Sequence, residues 1–92
     1  MKKAYIYIGS NNATHELESE KAINIISDHF DGFSAYEIIG FWKGSKEKTL
    51  KVEIVIDNDT VLIVKVCKEL KTKLFQEAIM LEIVESNVAF IQ

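Results

Sequence analysis

Apolar and polar positions alternate at the start of the chain, where Ala4-Tyr5-Ile6-Tyr7-Ile8-Gly9 is rich in the β-branched and aromatic residues that suit a pleated, half-buried surface. This first strand stops at Gly9-Ser10-Asn11-Asn12, a cluster of turn formers that also cap helices. From Thr14 to Phe30 the period lengthens. Leu17, Ala22, Ile23, Ile26 and Phe30 recur at helical spacing, and Glu16, Glu18 and Glu20 crowd the early turns, where the helix dipole favours negative charge. Asp31-Gly32 ends that helix. Phe33 to Trp42 then sets Tyr36, Ile38, Gly40 and Trp42 on one face and Ala35, Glu37, Ile39 and Phe41 on the other. Large apolar groups on both faces predict a second strand covered on both sides.

Lys43 to Lys48 reads as a short polar connection, and Thr49 to Ile56 as its antiparallel hairpin partner, alternating Leu50, Val52, Ile54 and Ile56 against Lys51, Glu53 and Val55. Asp57-Asn58-Asp59-Thr60 is a turn and N-cap signal. After it, Ile63, Val66, Cys67, Leu70 and Leu74 form the apolar stripe of a second helix that ends near Phe75 with Lys68, Lys71 and Lys73 towards its C-terminus. Ala78 to Glu85 is a fourth strand. Ser86-Asn87 turns the chain into Val88-Ala89-Phe90-Ile91, a short fifth strand or a tail that adds to a neighbour's edge. Two right-handed split βαβ crossovers in this order predict an α+β, ferredoxin-like βαββαβ sandwich over residues 1–92, one antiparallel sheet with both helices on one face. Tyr5, Tyr7, Ile79, Leu81 and Ile83 are expected to point away from helix-facing Ile6, Ile8, Met80 and Val84, leaving an open face apolar enough for subunits to stack on.

Composition narrows the function classes. Ninety-two residues, 48% apolar and 27% charged, supply one core and are too few for two domains. With 11 Lys+Arg against 14 Asp+Glu, the net charge is −3, so neither duplex nucleic acid nor an anionic membrane is an expected partner. An RNA-recognition domain shares the element order, and Ile6-Tyr7-Ile8-Gly9-Ser10-Asn11 is similar to its first-strand motif; Thr49-Leu50-Lys51-Val52-Glu53-Ile54 lacks the stacking aromatics its third strand needs. The lone Cys67 can form neither an internal disulfide nor a multi-thiolate metal site and is expected to be a buried structural thiol. No uninterrupted apolar run, Val61 to Val64 among them, approaches the length of a membrane span, and Met1-Lys2-Lys3 leads straight into a strand pattern, so a cytoplasmic location is expected.

Candidate chemistry is sparse. His15 and His29 have no third ligand at metal spacing, so no metal is expected. Gly9, Ser10 and Asn11 can offer backbone N–H groups to an anion, and serve equally as an ordinary cap, the preferred reading. Lys43, Lys46, Lys48 and Lys51 are interleaved with Glu47 and Glu53, as in a solvated turn. Tyr36-Glu37-Ile38-Ile39-Gly40-Phe41-Trp42 is the densest stretch. Gly40 removes a side chain between Tyr36 and Trp42, and Glu47 lies across the turn; an aromatic wall with a carboxylate suits an amine, a sulfonium or a purine. The same aromatics also suit a packed subunit interface.

Asp31-Gly32-Phe33-Ser34, Gly40-Phe41-Trp42-Lys43-Gly44, Glu47-Lys48-Thr49 and Leu74-Phe75-Gln76-Glu77-Ala78-Ile79-Met80-Leu81 together resemble a family of small PII-like proteins across nearly the whole chain. Within that superfamily the chain is most similar to phage-encoded S-adenosylmethionine lyases, which share an aromatic second strand, a Glu-x-Thr/Ser start to the third and a Gln-Asp/Glu-aliphatic start to the fourth. The resemblance implies a homotrimer that holds its small-molecule substrate in clefts between subunits and needs no cofactor. The methionine carboxylate attacks its own Cγ and expels methylthioadenosine, leaving homoserine lactone. Carried over by position, Tyr36 would stand beside the sulfonium and Glu47 would hold the ammonium; Gly9, Ser10, Trp42 and Gln76 are the further candidates for binding substrate. The alternative within the same resemblance is a non-catalytic module that binds or sequesters an adenine or signalling nucleotide.

Overall fold

The computed structural model describes Met1–Gln92 in full. Its elements are β1 (Lys2–Ile8), α1 (Ser19–Ser27), β2 (Ser34–Trp42), β3 (Ser45–Ile56), α2 (Val61–Lys73) and β4 (Met80–Glu85). The strands form one four-stranded sheet in the order β2-β3-β1-β4, with every neighbouring pair antiparallel. This is the ferredoxin-like arrangement of the sequence reading, compatible with a PII-like fold.

Period-two alternation places Ala4, Ile6 and Ile8 of β1 and Leu50, Val52, Ile54 and Ile56 of β3 on one face, where they are buried against Ala22, Ile25 and Ile26 of α1 and Ile63, Val66, Cys67 and Leu70 of α2. Each Val, Leu or Ile among them contributes about 1.5–3 kcal/mol by leaving water. The stripe read for α2 is the one that packs, and Leu74 just beyond it is buried too. In α1 the core contact includes Ile25, and Ile23 is only partly buried.

Five expectations are corrected. The helix read from Thr14 begins at Ser19, because Asn11 captures the intervening backbone: its Oδ1 accepts from the N–H groups of Ala13 at 2.7 Å and Thr14 at 3.2 Å. Such a local side-chain turn competes directly with helical hydrogen bonding. The connection read as Lys43 to Lys48 is two residues long, a tight hairpin turn with Lys43 at φ 49° and Gly44 at φ 80°, and Ser45 to Lys48 already belong to β3. β2 is an edge strand rather than a covered one, and Ile39 and Phe41 are 62% and 72% exposed. On β4, Leu81 and Ile83 pair with Ile6 and Ala4 and pack towards the core, so Met80 and Val84 are the residues on the open face. Val88–Ile91 forms no strand within the chain.

α2 ends in a Schellman turn: the Gln76 N–H donates to Lys71 O at 3.0 Å, with Phe75 at φ 51°. This left-handed position favours glycine, and Phe75 is 63% exposed, so little packing offsets its strain. Phe75→Gly is therefore expected to stabilise the fold by about 1 kcal/mol, read as a higher urea midpoint at unchanged m-value.

Candidate functional site

β1 stops well before the sheet does. Ile8 pairs with Leu50, and past that point the β2–β3 hairpin runs on alone. The freed backbone of Gly9 and Ser10 is taken up by side chains. Gly9 N–H donates to Gln76 Oε1 at 3.1 Å, and Gln76 Nε2 donates back to Ser10 O at 3.0 Å and to Leu74 O at 3.2 Å. Ser10 N–H donates to Glu47 Oε2 at 3.2 Å, and Ser10 Oγ donates to Lys48 O at 3.0 Å. Gly9 has no Cβ to spare here: one built on it would stand 2.5 Å from Glu47 Oε1. Gly9, Ser10, Glu47 and Gln76, drawn from three separate stretches of chain, thus meet in one hydrogen-bonded cluster.

The cluster borders a cavity of about 660 Å³ whose other walls include Tyr7, Ile38, Phe41, Trp42 and Met80. Gly40 and Thr49 also line it, and a Cβ on Gly40 would stand 2.5 Å from Thr49 Oγ1, so the bare backbone lets the Thr49 side chain close over it. Across the mouth runs a clasp that sequence reading missed: Trp42 Nε1 donates to Glu77 Oε2 at 3.0 Å, and the Lys43 ammonium bonds Glu77 Oε1. The hairpin tip is thereby tied to the segment before β4. Lys43, and after it the Trp42 indole, hold the Glu77 carboxyl below the ordinary glutamate range. Only the position of Glu77 directly after Gln76 hinted at this.

Tyr36 lies elsewhere. Its hydroxyl donates to Glu53 Oε1 at 3.1 Å, and Lys51 Nζ sits 5.7 Å from its ring centroid, 4.9 Å from that of Tyr5 and 5.4 Å from that of Tyr7. The Tyr36 hydroxyl holds the Lys51 ammonium above the ordinary lysine value. Tyr36 pairs with Lys51 and Gly40 with Glu47, so four residues, roughly 13 Å of strand, separate Tyr36 from Glu47. Within one chain the two do not meet.

A second cavity, about 750 Å³, opens on the other side of the hairpin among Asn12, His15, Glu37, Lys46 and Lys48, and Trp42 and Glu47 line both. His15 is on the loop after β1. His29 Nε2 lies 3.5 Å from Glu69 Oε2 between the helices. Cys67 is buried, and burial pushes its thiol up to about 11. No helix is long and apolar enough to cross a membrane.

No protein-family model matches the chain, and no curated protein does. Among solved structures it is similar to a phage SAM lyase in its apo state, with a TM-score of 0.70 at 17% identity over 90% of this chain and 78% of that one. A DUF3240 family protein from Shewanella baltica superposes with a TM-score of 0.64 at 15% identity over 98% of this chain and 97% of that one. A de novo designed protein, Foldit4, gives 0.52 at 10% identity over 94% and 96%. At these identities what is shared is the fold.

Two predictions come from this geometry. Because the Lys43 ammonium and the Trp42 indole bond the ionised Glu77 carboxyl more strongly than the neutral one and its pKa is lowered, the charged clasp is at full strength above the ordinary glutamate value of about 4.3 and weakens as pH falls through the lowered one. Emission from Trp42, the sole tryptophan, should accordingly titrate with a midpoint below about 4.3, and Glu77→Gln should abolish that transition. Gly9→Ala should push the flexible Glu47 carboxylate off the Ser10 N–H, shifting the Ser10 amide resonance while costing about 1 kcal/mol in denaturant stability, the worth of one hydrogen bond.

Proposed function

We propose that this chain is a PII-like S-adenosylmethionine lyase that works as a homotrimer. The observation that carries the reading is the Glu47 carboxylate, oriented by the Ser10 N–H and seated against Gly9 at the edge of a cavity walled by Tyr7 and Trp42. S-adenosylmethionine brings matching chemistry: an ammonium for Glu47, and a sulfonium and an adenine ring for aromatic walls. The likeness to a phage SAM lyase supports it at the level of fold.

In this reading the protein supplies no nucleophile. The substrate carboxylate oxygen forms a bond to its own Cγ, the Cγ–S bond breaks, and its electron pair passes to sulfur. Products are neutral methylthioadenosine and homoserine lactone, with no proton gained or lost at the reacting atoms. Glu47 anchors the ammonium so that the methionine chain folds back on itself, and the cavity excludes the water that would stabilise the extended, charged substrate. Gln76 acts on Glu47's neighbours, locking Gly9 and Ser10 in the conformation that presents the Ser10 N–H. Tyr36, held about 13 Å from Glu47 along its own strand, enters this scheme only from a neighbouring subunit.

A nucleotide-binding module is the second reading, favoured by the side cavity, where Lys43, Lys46 and Lys48 line the wall. One experiment separates the two. Incubated with S-adenosylmethionine in heavy-oxygen water, the protein should release methylthioadenosine and an unlabelled lactone. Glu47→Gln should be slower by roughly 10- to 100-fold, the value of a charge-assisted hydrogen bond. Absence of methylthioadenosine, label in the lactone as it first forms, or a fully active Glu47→Gln variant would overturn the lyase reading.

A further inference from the structure

We propose that the segment Val88–Ile91 docks as an added strand on the unpaired edge of β2 in a second copy of this chain, making a head-to-tail assembly. The inference stands on chain geometry and does not depend on the ligand assigned to the cavity.

Both partners are unsatisfied within one chain. β2 is a sheet edge nine residues long, and its Ile39 and Phe41 are 62% and 72% exposed. A long, mostly apolar edge with few charges is what soluble proteins ordinarily blunt or cover. Glu37 is the one charged residue on β2, and it lies towards the far end from Phe41 and Trp42. The tail has complementary character. Val88-Ala89-Phe90-Ile91 carries no charge, Phe90 and Ile91 are 75% and 95% exposed, and after the Ser86 N–H bond to Met1 O its backbone makes no further hydrogen bond. The other sheet edge, β4, is the poorer template, being six residues long with Glu82 and Glu85 along it.

The tail cannot serve its own β2. Glu85 aligns with Lys2 and through it with Ile56, whereas Ile39 aligns with Lys48. Eight residues of β3 at about 3.3 Å each put Ile39 roughly 26 Å along the sheet, and three inter-strand steps add roughly 14 Å across it. Fully extended, the six residues from Glu85 to Ile91 span only about 20 Å. A second copy has no such limit. Because the donor and acceptor surfaces differ, the contact is heterologous, and it closes into a ring or continues as a filament according to the rotation between copies. Phe41 also walls the cavity at the Glu47 cluster, so the docked tail runs along that wall and the site is complete only in the assembly.

The test uses the full-length chain. A Phe41→Cys/Phe90→Cys double variant, oxidised at micromolar concentration, should give disulfide-linked multimers on a non-reducing gel, since the two positions are out of reach within one chain and native Cys67 is buried. Phe90→Asp alters a 75% exposed side chain and should leave the circular dichroism unchanged while weakening association at least tenfold by sedimentation. In the unaltered protein, amides of residues 88–91 should become protected from hydrogen exchange as concentration rises. A mass of one 10.5 kDa chain at all concentrations, an assembly indifferent to Phe90→Asp, or tail protection independent of concentration, which would place the tail on its own β4, each overturns the proposal. Methylthioadenosine release is read separately: an assembly that is indifferent to Phe90→Asp and still releases methylthioadenosine overturns the docked tail and leaves the lyase reading standing.

Discussion

The structure turns on a backbone problem at the end of β1. Once β1 leaves the sheet at Ile8, the N–H groups of Gly9 and Ser10 lose their strand partners while Ser10 stays buried. A buried donor without an acceptor costs about 1–3 kcal/mol, so each must be met. Gln76 meets the first and Glu47 the second. That requirement fixes how the Schellman turn after α2 approaches the sheet, how close β3 comes to Gly9, and where a carboxylate ends up at the cavity. The same bonds that close the fold at this end therefore assemble the candidate site, which is why a glycine is needed at position 9 and a residue of Gln76's length after the strained Phe75.

How far the fold could be read along the chain depended on whether local pattern and tertiary environment agreed. β1, the inner half of β3 and α2 each bury one regular stripe, and their patterns led to the correct faces. β4 was misphased because Ile79-Met80-Leu81-Glu82-Ile83-Val84 is apolar on both faces; only Glu82, opposite Tyr5, marks the outward one. α1 was drawn too long because acidic residues before Ser19 imitate a first helical turn, while the Asx turn at Asn11 that holds that segment open leaves no periodic trace. The polar Lys46, Glu47 and Lys48 disguised the start of β3 as a loop, since that part of the hairpin projects beyond the helices and needs no apolar face.

The site was legible in a different way. Gly9, Ser10, Glu47, Trp42 and Gln76 were all candidates in the sequence, and the fold gathers the five around one cavity although 67 positions separate Gly9 from Gln76. No periodicity encodes such a meeting; it follows from β1 and β3 being central neighbours while the chain returns from α2 beside them. Tyr36 shares a sheet face with Glu47, which in the sequence reads as part of the turn, but it stands four residues away along the strand, and Lys51 and Glu53 claim its ring and hydroxyl. Glu77 escaped notice because an exposed glutamate acquires meaning only from the hairpin tip it grips.

The open face of the sheet is less apolar than its alternation suggested, and this bears on how copies would associate. Its centre is not bare hydrocarbon: Lys51 stands over Tyr5, Tyr7 and Tyr36, and Glu53 accepts from Tyr36 and faces Lys3 at 3.7 Å. Stacking two such centres would strip water from an ammonium and a carboxylate, and desolvating charges offsets much of what their pairing returns. The edge of β2 carries no comparable penalty. Backbone N–H and C=O groups there gain partners as Ile39 and Phe41 leave water, so hydrogen bonding and apolar burial act in the same direction. Association through edges rather than through the middle of the face also keeps the Lys51 cluster intact, and leaves the cavity beside Glu47 bounded by an edge strand, β2, whose far side is free to receive a neighbour.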